Sequence, residues 1–91
     1  AWGSPALKQL LIETIKKGDC AVIHVSTDGD PKDGGEHFIA AYAIENEMVV
    51  CSDPALGRPV FIPLSTMSLD VMWKDKKKLY QICGVAPIRP A

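Results

Sequence analysis

At 91 residues the chain is long enough for one small domain with a modest core. Hydrophobic residues make up 47% and charged residues 23%, an ordinary balance for a globular domain, and no apolar run approaches the roughly 18 residues of a membrane span. A net charge of −1 gives none of the basic footprint of a nucleic-acid or anionic-lipid binder, and three cysteines without a Cys-x-x-Cys pair argue against a disulfide framework or a zinc ribbon. That cysteine usage leans toward a reducing compartment; the location is otherwise left open.

The first predicted element is an amphipathic helix. Ser4 is a capping residue, Pro5 fills the first helical position, and Leu7, Leu10, Leu11 and Ile15 recur at helical spacing. Lys16-Lys17-Gly18 supplies the stop, with cations beside the carbonyl end and a glycine for the left-handed cap. Cys20 to Val25 is short and rich in β-formers, so it reads as a strand, and the polar loop Thr27 to Gly35 follows. Asp28, Asp30 and Asp33 in that loop resemble the start of an EF-hand, but the fifth position holds Lys32 where an oxygen ligand is needed, so no metal site is expected.

The next stretch organises the chain. Gly34-Gly35 lead into the run Glu36 to Ile44, Glu45-Asn46-Glu47 make a turn, and Met48 to Ser52 return to Asp53-Pro54. This pattern reads as an antiparallel hairpin. With the fold at Asn46, residues whose numbers sum to about 92 lie opposite one another, which sets Ile39 against Asp53 and His37 one diagonal step away. Alternation then places His37, Ile39, Ala41, Ala43, Val49, Cys51 and Asp53 on one face. Phe38, Ala40, Tyr42, Ile44, Met48 and Val50 occupy the other, which is expected to pack on the helix through Leu7, Leu11 and Ile15.

Beyond the hairpin, Arg58 to Pro63 is a short strand that its prolines confine to an edge. Ser65 is placed to cap a second short helix with Met67, Val71 and Met72 or Trp73 turned inward, and Lys74 to Lys78 reads as its solvated exit. Leu79 to Val85 makes the last strand, ended by Ala86-Pro87. The predicted fold is α+β, a twisted antiparallel sheet of about five strands with an N-terminal helix and one short inserted helix.

His37 and Asp53 form the candidate site. A carboxylate bonded to one ring nitrogen is how catalytic imidazoles are oriented, whereas a lone strand histidine is ordinary. Diagonal neighbours stand about 7 Å apart at the backbone, within reach of an imidazole and a carboxylate leaning together. Gly35 and Glu36, immediately before the histidine, are candidate substrate-binding positions. His24 follows Cys20 by four residues on one strand face, a spacing that suggests a metal pair. With no second pair of ligands, a buried cysteine and a tolerated histidine are the better reading. Cys51 shares the His37 face but lies opposite Ala41, more than about 10 Å along the strand from His37 and too far for direct proton transfer. Cys83, beside Gly84, reads as core, and no cofactor or metal is expected.

The segments Leu7 to Leu11, Lys16 to Ile23, Gly34 to Ile39, Val50 to Gly57 and Ile62 to Ser65, with a following Trp73, occur in an order that resembles the papain-like cysteine peptidases of the bacteriocin-processing, C-thirty-nine-like family. The resemblance covers nearly all of the chain. It implies the sheet half of a papain-like fold and thiol-dependent peptide hydrolysis, with His37 as base and Asp53 as its orienter. It also implies a nucleophilic cysteine and an oxyanion-stabilising glutamine in an N-terminal half preceding Ala1, and none of Cys20, Cys51 or Cys83 occupies a matching place. Residues 1–91 are therefore expected to be a single domain within a larger peptidase-like unit, inactive alone. Its expected partners are a peptide or protein substrate and the missing half, or a partner chain that carries the cysteine; nucleic acid and a membrane span are not expected. Two alternatives stay open: acyl transfer by the same machinery, and a non-catalytic peptide- or protein-binding module that retains the peptidase fold.

Overall fold

The computed structural model describes residues 5–27, 36–73 and 75–88. Helix α1 spans Pro5–Lys16, and six strands follow: β1 Cys20–Thr27, β2 Glu36–Glu45, β3 Met48–Asp53, β4 Arg58–Pro63, β5 Ser68–Trp73 and β6 Lys76–Ile88. The strands form one antiparallel sheet in the order β4-β3-β2-β1-β6-β5. Its two edges approach each other across a seam lined by Val60, Phe61, Leu69 and Val71, so the sheet curls into a nearly closed barrel.

This overturns the α+β, papain-like expectation of about five strands with an inserted helix. The described residues are mostly strand, with α1 as the one helix among them. The error lies at Ser65 to Trp73. Met67 and Val71 are spaced as a helical pair, yet positions 67, 69 and 71 equally make one face of a strand. Met67 takes a positive φ of 57°, its N–H donates to Pro63 O at 2.9 Å and its carbonyl accepts from Ile82 N–H at 2.9 Å. That turn delivers Ser68–Trp73 into a hairpin with β6, pairing Leu69 with Tyr80 and Val71 with Lys78. The lysine run is thus no helix exit. Its latter part opens β6 in the hairpin with the edge strand β5, where Lys77 Nζ lies 3.5 Å from Asp70 Oδ2 at the surface. β6 also runs past Ala86-Pro87 to Ile88, pairing along β1 as far as Cys20. Opposite this stretch β5 has already ended, so the missing N–H of Pro87 can face a side with no ladder to break.

Other elements agree with the sequence. α1 stops at Lys16, Gly18 follows with φ 88°, and its N–H donates to Ile15 O at 3.0 Å. Leu11 is fully buried, Leu7, Ile12 and Ile15 pack beside it, and Leu10 is more than a third exposed. β4 occupies a sheet edge, where Pro59 and Pro63 cost no ladder bond. The capping residue Ser4 and the loop with Asp28, Asp30 and Asp33 lie outside the described residues. Among the described residues no helix is long and apolar enough to cross a membrane.

In the central hairpin, Asn46 and Glu47 form the turn with φ of 51° and 63°, the left-handed pair that suits a tight two-residue connection. Ala41 pairs with Cys51 and Ala40 with Ser52, both summing to 92 as predicted. Nearer the turn the sum becomes 93, because Tyr42 is an extra residue bulged out of β2. The bulge reverses side-chain parity, so Ile44 joins the core instead of sharing the face of Phe38.

The packing of the two faces is the reverse of the expectation. Ile39, Ala41, Val49 and Cys51 are buried in one cluster with Leu11 of α1, and Asp53 is buried on the same face. Phe38 and Tyr42 stand outside, 56% and 47% exposed. Two apolar faces of similar length gave no criterion for choosing between them until the sheet curled around the one that carries smaller side chains.

Candidate functional site

Asp53 is the last residue of β3, and the turn that follows is built around it. Its Oδ1 accepts the Ala55 N–H at 2.9 Å, bridging Pro54, which has no N–H of its own. Its main-chain carbonyl accepts from Gly57 N–H at 2.9 Å and Leu56 N–H at 3.2 Å, and Gly57 supports the reversal with φ 66°. The carboxylate is thereby fixed at the mouth of the barrel, pointing inward.

Two side chains complete its coordination. His37, near the start of β2, places Nε2 2.8 Å from Oδ1, and Tyr80 of β6 donates its hydroxyl to Oδ2 at 2.7 Å. The Asp53 side chain is fully buried, whereas the imidazole keeps 20% of its surface in solvent. Burying a carboxylate is costly unless donors replace water. Burial is the largest influence on Asp53 and would raise its pKa. The hydrogen bonds from Tyr80, His37 and the Ala55 N–H, with the charge of the imidazole ring when it is protonated, outweigh it and hold the carboxyl below its ordinary value. An ionised carboxylate only accepts, so Nε2 carries the proton and Nδ1 is the nitrogen that can act as a base. The His37 and Tyr80 rings lie 5.7 Å apart at a tilt of 55°, so Tyr80 flanks both members of the pair.

The structure therefore brings together the two residues singled out as catalytic, on the predicted face. Gly35 lies outside the described residues, as does the side chain of Glu36, whose backbone opens β2 opposite Ser26. Cys51 is buried opposite Ala41, four residues along β2 from His37 and so about 13 Å away along the strand. Burial, with the charge of Asp53 adding to it, pushes the Cys51 thiol up to about 12. No disulfide joins the three cysteines, and the described residues contain no cluster of three or more metal-ligating side chains.

Tyr80 was missed. Its sequence context shows only a strand aromatic, and its role emerges when β6 pairs with β1 and turns it toward β3. The reading of His24 and Cys83 also needs correction: the two are within hydrogen-bond distance of each other, with Cys83 Sγ 3.3 Å from His24 Nδ1, rather than being a tolerated histidine and a core cysteine.

Beside the dyad a shallow cleft is lined by Tyr42, Ser52, Asp53, Pro54, Arg58 and Pro59. It opens this end of the barrel to the outer surface. No protein-family model, no curated protein and no solved structure matches the chain, so the site is interpreted from its own geometry.

Proposed function

We propose that this domain supplies the general base and its orienter for thiol-dependent cleavage of a peptide bond. The observation that carries the reading is the 2.8 Å contact between His37 Nε2 and a fully buried Asp53 carboxylate. Asp53 holds the imidazole in the tautomer with the proton on Nε2. Nδ1 then takes the proton from a cysteine thiol and later gives it to the leaving amine, and the carboxylate supports the imidazolium formed between these steps. The likeness of the segments around His37 and Asp53 to bacteriocin-processing cysteine peptidases supports the same chemistry.

The nucleophile of this scheme is a cysteine outside residues 1–91, on another segment or on a partner chain. Leu11 of α1 already shares the buried cluster with Ala41 and Cys51, so such a thiol would approach the partly exposed imidazole from the barrel mouth. Iodoacetamide labelling of the full-length protein across a pH series tests the proposal. One cysteine outside this segment should react well below the usual thiol range, and His37→Ala should abolish that acid-shifted reactivity. A labelling profile that His37→Ala leaves unchanged overturns the assignment.

A further inference from the structure

The outer face of the barrel carries a second arrangement, independent of the His37–Asp53 reading. Between β1 and β6 the ladder shifts by one residue: His24 pairs with Gly84 and Val25 with Ile82, so Cys83 is the extra residue of a β-bulge. Tyr80 and Ile82 point into the core before the bulge and Val85 packs against the core after it. Cys83 and Gly84 therefore both fall on the outer side, next to His24. Bulges re-aim side chains, and here the effect is to set a thiol against an imidazole.

The contacts fix that pair from three strands. Cys83 Sγ donates to His24 O at 3.3 Å and lies 3.3 Å from His24 Nδ1, which accepts the thiol proton in the tautomer that carries its hydrogen on Nε2. The His24 ring stacks on Phe38 of β2 with centroids 4.9 Å apart and planes 20° apart, which sets the ring orientation. Gly84 supplies the space: a Cβ there would stand 3.3 Å from His24 Cβ and press on the ring's attachment. Cys83 is partly exposed, so an external reagent can reach a thiol whose base is already in place.

We infer that Cys83 and His24 form a thiol-exchange site that takes up a low-molecular-weight disulfide. In the step, the Cys83 proton passes to His24 Nδ1 and the Cys83 sulfur attacks one sulfur of the disulfide. The disulfide's S–S bond breaks, a mixed disulfide forms on Cys83, and the released thiolate takes the proton from His24. Electrons balance, because one S–S bond replaces another.

The other two cysteines are internal controls. Cys51 is fully buried, and Cys20 is exposed at the start of β1, four residues and about 13 Å along the strand from His24. Oxidised glutathione is the probe, with the extent of modification at each cysteine read by peptide mass mapping against time at neutral pH. Cys83 should be modified roughly tenfold faster than Cys20, reversibly by dithiothreitol, and His24→Gln should bring Cys83 down to the Cys20 rate while Cys20 itself is unchanged. Cys51 should stay unmodified throughout, which certifies that a variant is folded. The comparison of Cys83 with Cys20 in the unmutated protein needs no variant. A Cys20 rate equal to or above that of Cys83 overturns the inference, as does a Cys83 rate untouched in a folded His24→Gln protein. Substituting His37 should change neither rate, which keeps this site separable from the proposed peptidase dyad.

Discussion

Tyr80 donates its hydroxyl to Asp53 at 2.7 Å across the interior of the barrel, joining β6 to β3 over the two intervening strands β1 and β2. The bond closes a chord on the curved sheet, so the carboxylate that orients His37 is held from a strand distant in sequence. Tyr80→Phe keeps the ring and removes the chord. Loss of a buried hydrogen bond to a charged acceptor should cost about 1.5 to 3 kcal/mol, measured by urea denaturation at neutral pH. An unchanged midpoint would show that the carboxylate is satisfied without the tyrosine.

Acid stability should depend on Asp53. Its folded pKa lies below the ordinary 3.8, so it contributes stability that is present above that value and lost as pH falls through the folded pKa. Asp53→Asn should lower stability at neutral pH and flatten this acid limb, and Tyr80→Phe, with one donor fewer, should flatten it in part. Denaturation midpoints collected from about pH 5 to pH 2 would check the ordering.

At alkaline pH the sign reverses and Cys51 governs. Its thiol is raised from 9.0 to about 12 in the fold, so its contribution is complete below pH 9 and lost as the unfolded chain ionises above it. The slope should reach about 1.4 kcal/mol per pH unit between those limits. Cys51→Ala should remove that component, leaving a shallower alkaline limb when the two proteins are compared over the same range.

Truncation on the two faces of β2 should give opposite results. Tyr42 is 47% exposed on the outer side, so Tyr42→Ala should cost less than about 0.5 kcal/mol. Ile39, three residues before it and 2% exposed, should cost about 2 to 5 kcal/mol when cut to alanine. Thermal or urea melts of the two variants are sufficient, and similar losses would contradict the face assignment.

Which parts were legible follows from how local their causes are. Pro5, the apolar spacing of α1 and Gly18 are signals within one element, and the helix lies where they put it. The hairpin register near His37 was expected from a turn centred on Asn46, and it holds because the bulge at Tyr42 offsets by one residue the register that the Asn46-Glu47 turn sets. The pairing of His37 with Asp53 was thus legible, whereas the bulge that keeps the two on one face was not. The strand at Ser68–Trp73 was not legible, because its identity comes from a partner strand rather than from its own period. For the same reason Tyr80 and the His24–Cys83 pair stayed hidden: both require β6 beside β1, a neighbour relation that spans most of the chain.

The bulge at Tyr42 also divides β2 into two separately phased lengths. Residues 37 to 41 meet Asp53 and the barrel mouth in one phase, while Ile44 and the turn belong to the other. Single substitutions at Tyr42 leave that phasing untouched, because the position is defined by its presence and not by its side chain. Removing the residue would erase the half-step and force a choice: either Ile44 leaves the core, or His37 and Ile39 rotate outward and the dyad separates. Sequence length in this strand is thus under tighter constraint than sequence identity, and chains built on the same barrel should vary freely at the bulged position while keeping it filled.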